Sequence, residues 1–245
     1  MCSRPISDYS NFDYKTEYWI KANRDYENRC EHQLVTDLLN ALSPISTLVD
    51  IGGGFGRLAS VYIPRAKTPF LLDFALHQLI DARQTHGDRL NCITANFYFL
   101  PFQSGSVDVA LTVRTLHHVV ELPAFIAEIA RIVKPGGHFI FEIPNQRHWI
   151  QILRYWLRRD TRNPFSDAPI VRGETFYNYH PRYVTHLLAA HGFTVTEMRS
   201  TSFFRSSLLK RLIPNSGLFY LDRICQRLFS SFWLTPSIFC SSVRK

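Results

Sequence analysis

The chain has 245 residues, 46% of them hydrophobic, and carries 28 Lys and Arg against 20 Asp and Glu, a net charge of +8. This composition supports a full-sized hydrophobic core and excludes the disordered and fibrous classes of protein. No run of 18 apolar residues is present and the first residues lack an apolar segment, so we expect neither a transmembrane helix nor a signal peptide.

The positive charge is concentrated in the second part of the chain. Residues 1–145 contain 13 basic and 15 acidic side chains, whereas residues 146–245 contain 15 basic and 5 acidic ones, a difference of +10. An anionic partner is therefore expected to meet residues 146–245.

The five cysteines are scattered, odd in number, and form no C-x-x-C pair. This pattern predicts free thiols in a cytoplasmic protein rather than a disulfide framework or a zinc site.

Hydrophobic periodicity predicts helices and strands that alternate through the first 145 residues. The predicted helices are 17–42, 57–63, 76–83 and 122–133, and the predicted strands are 46–51, 69–73, 90–95, 107–113 and 138–143. Pro44 ends the first helix, and a turn is predicted at 135–137. Such alternation is typical of an α/β protein with a Rossmann-like, doubly wound and mostly parallel sheet.

The second part is less regular and is rich in aromatic and basic residues. A helix is predicted at 181–191, a strand at 193–198, and a last strand, antiparallel to its neighbours, at 237–243. The segments 145–179 and 200–236 are predicted as insertions, the second with helical spacing of its apolar residues.

A glycine-rich turn follows the first predicted strand. Asp50 to Gly56 has the pattern D-x-G-x-G-x-G, and glycines there allow positive φ and let a ligand lie against the main chain. The dinucleotide pattern G-x-G-x-x-G fails because Arg57 stands at its third glycine. The Asp50 carboxylate would repel a pyrophosphate, and it suits a cationic amino-acid group instead.

A second acid ends the second predicted strand, 21 residues after Gly52. Asp73 at that position can accept hydrogen bonds from both hydroxyls of a ribose. The alternative interpretation is an N-cap of the helix that begins near Ala75.

These features, with four further motifs, resemble the class I S-adenosylmethionine-dependent methyltransferases, in particular their type 11 group. The matching segments are Asp50–Gly56, Asp73, Ala95-Asn96 with Leu100-Pro101-Phe102, Ser106–Val109, Leu116–Val119 and Glu128–Gly137. The resemblance implies a seven-stranded sheet with S-adenosyl-L-methionine bound across the carboxyl ends of the strands. We accordingly expect a helical cap at 1–45 and a methyltransferase domain at 46–245.

The resemblance also assigns the polar half of the cofactor site. The methionine end would be held by one acid and the loop glycines, namely Asp50, Gly52, Gly54 and Gly56. Asp73 would take the ribose hydroxyls, and Phe74 would pack beside the adenine.

By the same resemblance, Asn96 and Phe97 would contact the adenine, and Arg114 with Thr115 would close the site. The family usually has Asp where Asn96 stands. An Asn side chain still offers an acceptor and a donor to the adenine, so we expect binding to survive in weaker form.

In the family reaction a nucleophile attacks the methyl carbon of a sulfonium, and alignment can supply about 7–11 kcal/mol. No metal is required, and a general base is needed only for a hydroxyl or protonated amine acceptor. The candidate bases are His117, His118, His148 and His180, of which we assign His117 and His180. The alternatives are that His117 shapes the start of a helix and that His180 forms a helix entry.

On the acceptor side, Arg158 can bind a phosphate or carboxylate, and Tyr177 and Tyr179 belong to a segment expected to cross above the methyl group. Residues 201–236 can either lie on an anionic membrane surface or pack on the domain. The amide-methylating signature Asn/Asp-Pro-Pro-aromatic is absent at Val113-Arg114-Thr115, so we predict O- or C-methylation of a small-molecule or lipid-linked acceptor, with an anionic acceptor as one option.

Two alternatives remain open. An RNA methyltransferase would use the basic part of the chain, although no added RNA-binding module is recognisable. A non-catalytic protein would bind the cofactor and act through its partners.

Overall fold

A computed structural model describes residues 15–21, 24–172, 176–229 and 234–245. The strands are β1 Ile45–Ile51, β2 Ala66–Asp73, β3 Asn91–Thr94, β4 Val107–Thr112, β5 Val133–Pro144, β6 Ile170–Arg172, β7 Phe176–Asn178, β8 Phe193–Thr201 and β9 Ser237–Arg244. The α-helices are α1 Asp25–Asn40, α2 Ala59–Tyr62, α3 Leu76–His86, α4 Leu122–Ile132, α5 Trp149–Trp156, α6 Pro181–Ala190, α7 Ser207–Leu212 and α8 Asn215–Phe229. Shorter helical turns lie at Lys15–Ile20, Gly87–Arg89 and Leu116–His118.

Seven strands form one sheet in the order β3-β2-β1-β4-β5-β9-β8. Strands β1 to β5 pair in parallel, whereas β9 is antiparallel to both β5 and β8. The predicted mostly parallel sheet and its antiparallel last strand are thus confirmed. The order of the strands reverses between β1 and β4, and at such a point a crevice opens beyond the carboxyl ends of the strands.

Helices cover both faces of the sheet, which explains why its central strands are nearly continuous apolar runs. Leu48 of β1 and Leu111 of β4 pack with residues of α1, α2 and α3. Val49 and Ala110, their neighbours along the strands, pack on the opposite face with residues of α4 and α6. None of the described helices is long and apolar enough to cross a membrane.

The first predicted helix is wrong in its extent. The structure has a helical turn at Lys15–Ile20 and a separate helix from Asp25, because periodicity shows which face is apolar but not where the chain breaks. Residues 22–23 lie outside the described residues.

The predicted turn at residues 135–137 is also wrong, because these residues lie inside β5. The pairing of β4 with β5 shifts register between Val107 and Val109, and Gly136 takes a positive φ of 76°. A Cβ on Gly137 would lie 2.9 Å from the Asp108 carbonyl oxygen. The two glycines therefore let β5 bend and lie close to β4. The same glycines explain why the composition of this segment predicts a turn.

The segments predicted as insertions contain α5, the β6–β7 hairpin, α7 and α8. The hairpin was not predicted, because its two strands are only three residues each. The limits of the cap and of the insertions stay predictions. Residues 173–175 and 230–233, which include Trp233, lie outside the described residues.

Candidate functional site

A cavity lies at the carboxyl ends of β1, β2 and β4, with an empty volume of about 810 Å³ including its open mouth. The wall is formed by Trp19, Asp50, Gly52, Gly53, Gly54, Phe55, Arg57, Leu58, Asp73, Phe74, Gln78, Phe97, Val113, Arg114, Thr115 and His118.

The glycine loop forms one wall of this cavity with its backbone. Gly52 and Gly54 have φ values of 72° and 56°, which side-chain-bearing residues rarely adopt. A Cβ on Gly52 would lie 2.5 Å from Thr115 Oγ1, and a Cβ on Gly54 would lie 2.5 Å from Gln78 Oε1. The Gly52 N–H donates to the Leu72 carbonyl at 2.7 Å. The loop is therefore fixed against β2 with no room for side chains.

Asp50 ends β1 beneath the loop, and its side chain is 1% exposed. Within the described residues its Oδ2 atom has no hydrogen-bond partner. Burial raises the pKa of Asp50 to about 7, and the Tyr62 hydroxyl and the nearby Arg57 charge only partly oppose this rise. A buried carboxyl with one unpartnered oxygen in a cavity wall is suited to a cationic group that can donate a hydrogen bond to that oxygen.

Asp73 connects the glycine loop with the start of α3. Its Oδ2 accepts the Gly54 N–H and its Oδ1 accepts the Ala75 N–H, both at 2.9 Å. Burial raises the pKa of this carboxyl. The side chain thus braces the start of α3 and also lines the cavity, and each oxygen keeps acceptor capacity for a further hydroxyl.

Two of the three residues predicted to contact the adenine line the cavity. Phe74, which is partly exposed, and Phe97, which is buried, both line the cavity. Asn96 is not part of its wall, and its Oδ1 already accepts the Tyr98 N–H at 2.9 Å. The adenine roles of these three residues stay predictions, with the Asn96 amide NH₂ as the group open to a ligand.

Arg114 belongs to a buried cluster of charges on the far side of the cavity. Its backbone has a φ of 59° and donates to Glu142 Oε2 at 2.8 Å. Its guanidinium pairs with Glu31, which also binds Arg57 at 2.7 Å. Burial acts to raise the pKa of Glu31, but Arg114 and Arg57 outweigh it and hold this pKa at about 2.

Trp19 closes the cluster from the N-terminal side. Its ring is 8% exposed and lies 4.0 Å from Arg57 Cζ and 4.9 Å from Arg114 Cζ, as in cation–π contacts. Neither Trp19 nor Glu31 was predicted in the site. One indication was available for Glu31, because it occupies the same helical face as the core residues Leu34 and Leu38.

Residues 49–141 match a family model described as a methyltransferase domain, and the sheet, the glycine loop and the acid after β2 lie where the sequence resemblance placed them. Residues 49–141 therefore carry a methyltransferase domain of the kind that the sequence resemblance indicated. The cofactor of this family is S-adenosyl-L-methionine.

Known proteins similar to this chain include a probable S-adenosylmethionine-dependent methyltransferase of Mycolicibacterium smegmatis, 25% identical over 86% of this chain and 72% of that protein. The malonyl-[acyl-carrier protein] O-methyltransferase of Marinomonas sp. is 24% identical over 63% of this chain and 62% of that protein. The crystal structure of a SAM-dependent methyltransferase from Thermotoga maritima is similar in fold, with a TM-score of 0.60, 18% identity, and coverage of 97% and 98%. The chain spans less than two thirds of the length of several curated relatives, 25% in one case.

In the methyltransferase domain, the two histidines assigned as bases lie outside the cavity wall. His117 stacks on Phe176 with ring centroids 5.2 Å apart, and burial lowers its pKa well below the ordinary value. His180 caps α6, because its Nδ1 accepts the Arg182 N–H at 3.2 Å. The neighbouring His118 does line the cavity. The catalytic roles of His117 and His180 stay predictions, and among the described residues His118 is the histidine in the cavity wall.

The three acceptor-side residues also have distinct surroundings. Tyr179 is buried, and its hydroxyl donates to the Val119 carbonyl. Tyr177 stacks on Tyr179 at 6.5 Å and is partly buried. Arg158 is exposed after the end of α5, with a φ of 55°. Their substrate contacts stay predictions; the hydrogen bond of Tyr179 indicates that it positions the segment rather than contacting a ligand through its hydroxyl.

Proposed function

We propose that this chain transfers the methyl group of S-adenosyl-L-methionine to a small-molecule or lipid-like acceptor, by O- or C-methylation. The observation that supports the proposal most strongly is the buried Asp50 Oδ2 atom, which has no partner within the described residues and lies in a glycine-lined cavity wall. The cofactor carries an ammonium group and two ribose hydroxyls, which match Asp50 and Asp73 in chemistry.

When bound, the cofactor supplies an electrophilic methyl group on a sulfonium. The residues of the chain hold and orient it: Asp50 binds the cationic end, Asp73 accepts from the ribose, and the loop backbone fixes the position. Trp19 and Arg114 cover the inner wall and exclude water from it. The cofactor thus supplies the reactive group and the chain positions it, which suits a reaction in which alignment supplies most of the rate enhancement.

An apolar or aromatic acceptor is favoured by the residues beside the cavity. The β6–β7 hairpin brings Phe176 against His117 and His118, with centroid distances of 5.2 and 5.0 Å. Tyr177 continues this aromatic surface. The similarity to a methyltransferase named for a malonyl-[acyl-carrier protein] is consistent with an acceptor built on an acyl group.

Transfer of labelled methyl groups from S-adenosyl-L-methionine into a fractionated lysate tests the proposal. We expect label in the organic-extractable or small-molecule pools. Predominant labelling of RNA would overturn the acceptor class, and no labelling by a protein that binds the cofactor would favour the non-catalytic alternative.

The glycines offer a matched control for this assay. Gly52→Ala would place a Cβ 2.5 Å from Thr115 Oγ1, whereas Gly105→Ala has a similar positive φ of 62° but no atom within 4 Å of the new Cβ. We expect Gly52→Ala to lose transfer by at least about tenfold, the loss expected from removing roughly 1.4 kcal/mol of binding. Gly105→Ala should retain transfer.

A further inference from the structure

Helix α5 presents its apolar side chains to solvent. Trp149, Leu153 and Trp156 lie on one helical face and are 53%, 44% and 69% exposed, and Ile150 and Leu157 extend the same surface. The inward face carries Gln151, which is fully buried and donates to the Arg162 carbonyl at 3.3 Å. The helix is therefore oriented with a polar group inside and a wide apolar stripe outside.

Helix α8 has the same orientation. Leu221, Ile224 and Leu228 form an exposed stripe at helical spacing. On its inner face Asp222 is buried and accepts the Tyr26 hydroxyl at 2.7 Å and the Phe203 N–H at 2.8 Å. This buried carboxylate fixes the rotation of α8, so the apolar stripe cannot turn toward the core without breaking these bonds.

The two helices are far apart along the chain, and one hydrogen bond connects the start of α5 with the segment that follows α8. The Trp149 N–H donates to the Leu234 carbonyl at 3.2 Å. Phe229, the last residue of α8, is five residues before Leu234, a span of at most about 18 Å. The chain length therefore places the end of α8 within about 21 Å of the start of α5.

Arginines border the α5 stripe. Arg154, Arg158 and Arg159 are exposed, and within the described ranges none of them forms a salt bridge. Exposed tryptophans beside unpaired arginines match the chemistry of an anionic lipid surface, where indole rings lie at the headgroup level and guanidinium groups bind phosphates.

We propose that α5, together with the exposed stripe of α8, docks the protein on the surface of an anionic phospholipid bilayer. Exposed apolar surface of this kind marks an interaction site, and the arginines select a negatively charged partner. Docking goes beyond methyl transfer and does not depend on it. It also moves the expected contact from residues 201–236 alone to a surface led by α5.

Co-sedimentation of the full chain with vesicles tests the proposal. Vesicles of equal parts phosphatidylcholine and phosphatidylglycerol should pellet the protein, and vesicles of phosphatidylcholine alone should pellet less. The double variant Trp149→Ala/Trp156→Ala should lose at least about tenfold in partition coefficient, because each indole removes a large apolar area from the contact. Each of Arg154→Gln, Arg158→Gln and Arg159→Gln should lose about fivefold on the anionic vesicles only.

Phe99→Ala and Ile80→Ala are the matched controls, because both side chains are exposed on other elements, by 65% and 49%. They should bind vesicles like the wild type. All these variants replace exposed side chains, so unchanged thermal unfolding verifies their fold, and unchanged binding of S-adenosylhomocysteine separates this test from that of the proposed function.

Equal partitioning of the wild type and the double tryptophan variant would overturn the proposal. The proposal would also be overturned if sedimentation velocity showed a dimer that requires Trp156 and the protein did not bind vesicles. A second copy of the chain would then cover the stripe. Tight binding of RNA without binding of vesicles would contradict it as well.

Discussion

Asp50 carries a carboxyl whose pKa is about 7 in the absence of a ligand, because burial disfavours the charge more than Arg57 favours it. A cationic ligand stabilises the ionised form. Binding of the cofactor below pH 7 therefore requires the loss of a proton from Asp50, and this coupling is measurable.

We expect affinity for S-adenosylhomocysteine to fall by up to about tenfold for each pH unit below 7 and to level off above it. Calorimetry at several pH values, in buffers of different ionisation enthalpy, measures both the affinity and the released proton. Asp50→Asn should bind weakly with a flat pH profile. An unchanged slope in this variant would assign the titration to another group.

The same carboxyl affects stability without ligand. Its folded pKa lies above the unfolded value, so its contribution is complete below about pH 4 and is lost as pH rises through about 7. Asp50→Asn should therefore be more stable than the wild type at pH 8, by at most about 4 kcal/mol, and similar at pH 4. Urea unfolding of the free protein at both pH values measures the difference, and a less stable variant at pH 8 contradicts the argument.

At the scale of elements, the Lys15–Ile20 turn adds Trp19 to the cavity wall, and α1 holds two arginines of that wall through Glu31. Glu31 of α1 neutralises Arg57 and Arg114, and Trp19 lies against both guanidinium groups. The N-terminal elements thus contribute to the cavity through Trp19 and to the hydrophobic core through α1.

Glu31→Gln should destabilise the protein by about 3–5 kcal/mol, because it removes the carboxylate that pairs directly with both buried guanidinium groups. Glu17→Gln is the matched control, since Glu17 pairs with Lys21 at the surface and such pairs contribute about 0–1 kcal/mol. Equal unfolding free energies for the two variants would refute a structural role for the buried cluster.

Trp19→Ala tests the same wall without removing a charge. We expect weaker binding of S-adenosylhomocysteine and a smaller loss of stability than for Glu31→Gln, because Glu31 still neutralises both arginines. Calorimetry and urea unfolding of this variant separate the two effects, and unchanged ligand affinity would exclude Trp19 from the site.

The predictable part of the site is local in sequence. Asp50, the loop glycines and Asp73 lie at the carboxyl ends of two neighbouring strands. Because parallel strands end at the same edge of a sheet, the sequence predicts that these residues lie close together. Tertiary packing alone brings Trp19 into the cavity wall and Glu31 against its two arginines. The choice between His117 and His118 depends on the rotation of one short turn, which spacing does not determine.

The α5 and α8 stripes show another limit. Their spacing predicts an amphipathic helix equally well whether the apolar face is inside or outside. What decides the orientation is the polar inner face, where Asp222 binds residues far away in sequence, such as Tyr26. The sheet order, by contrast, follows from alternating elements and right-handed crossovers.

At the scale of the whole molecule, the near-neutral first part of the chain holds most of the cofactor site, and the +10 second part carries the apolar and basic surface. The two should respond differently to ionic strength. Vesicle binding should fall steeply with added salt, because exposed arginines are screened. Binding of S-adenosylhomocysteine should change little, because Asp50 and Asp73 are shielded from solvent. If vesicle binding and affinity for S-adenosylhomocysteine both fell equally between low and high salt, the two surfaces would not bind their ligands independently.

Calorimetric titration with S-adenosylhomocysteine tests the central claim most directly, with wild type, Asp73→Ala, and Asp88→Ala as a surface control. We predict one site per chain in the wild type, unchanged affinity in Asp88→Ala, and a loss of at least about tenfold in Asp73→Ala, since the ribose acceptors and the Gly54 contact are removed. No binding by the wild type, or equal binding by Asp73→Ala, would contradict the account.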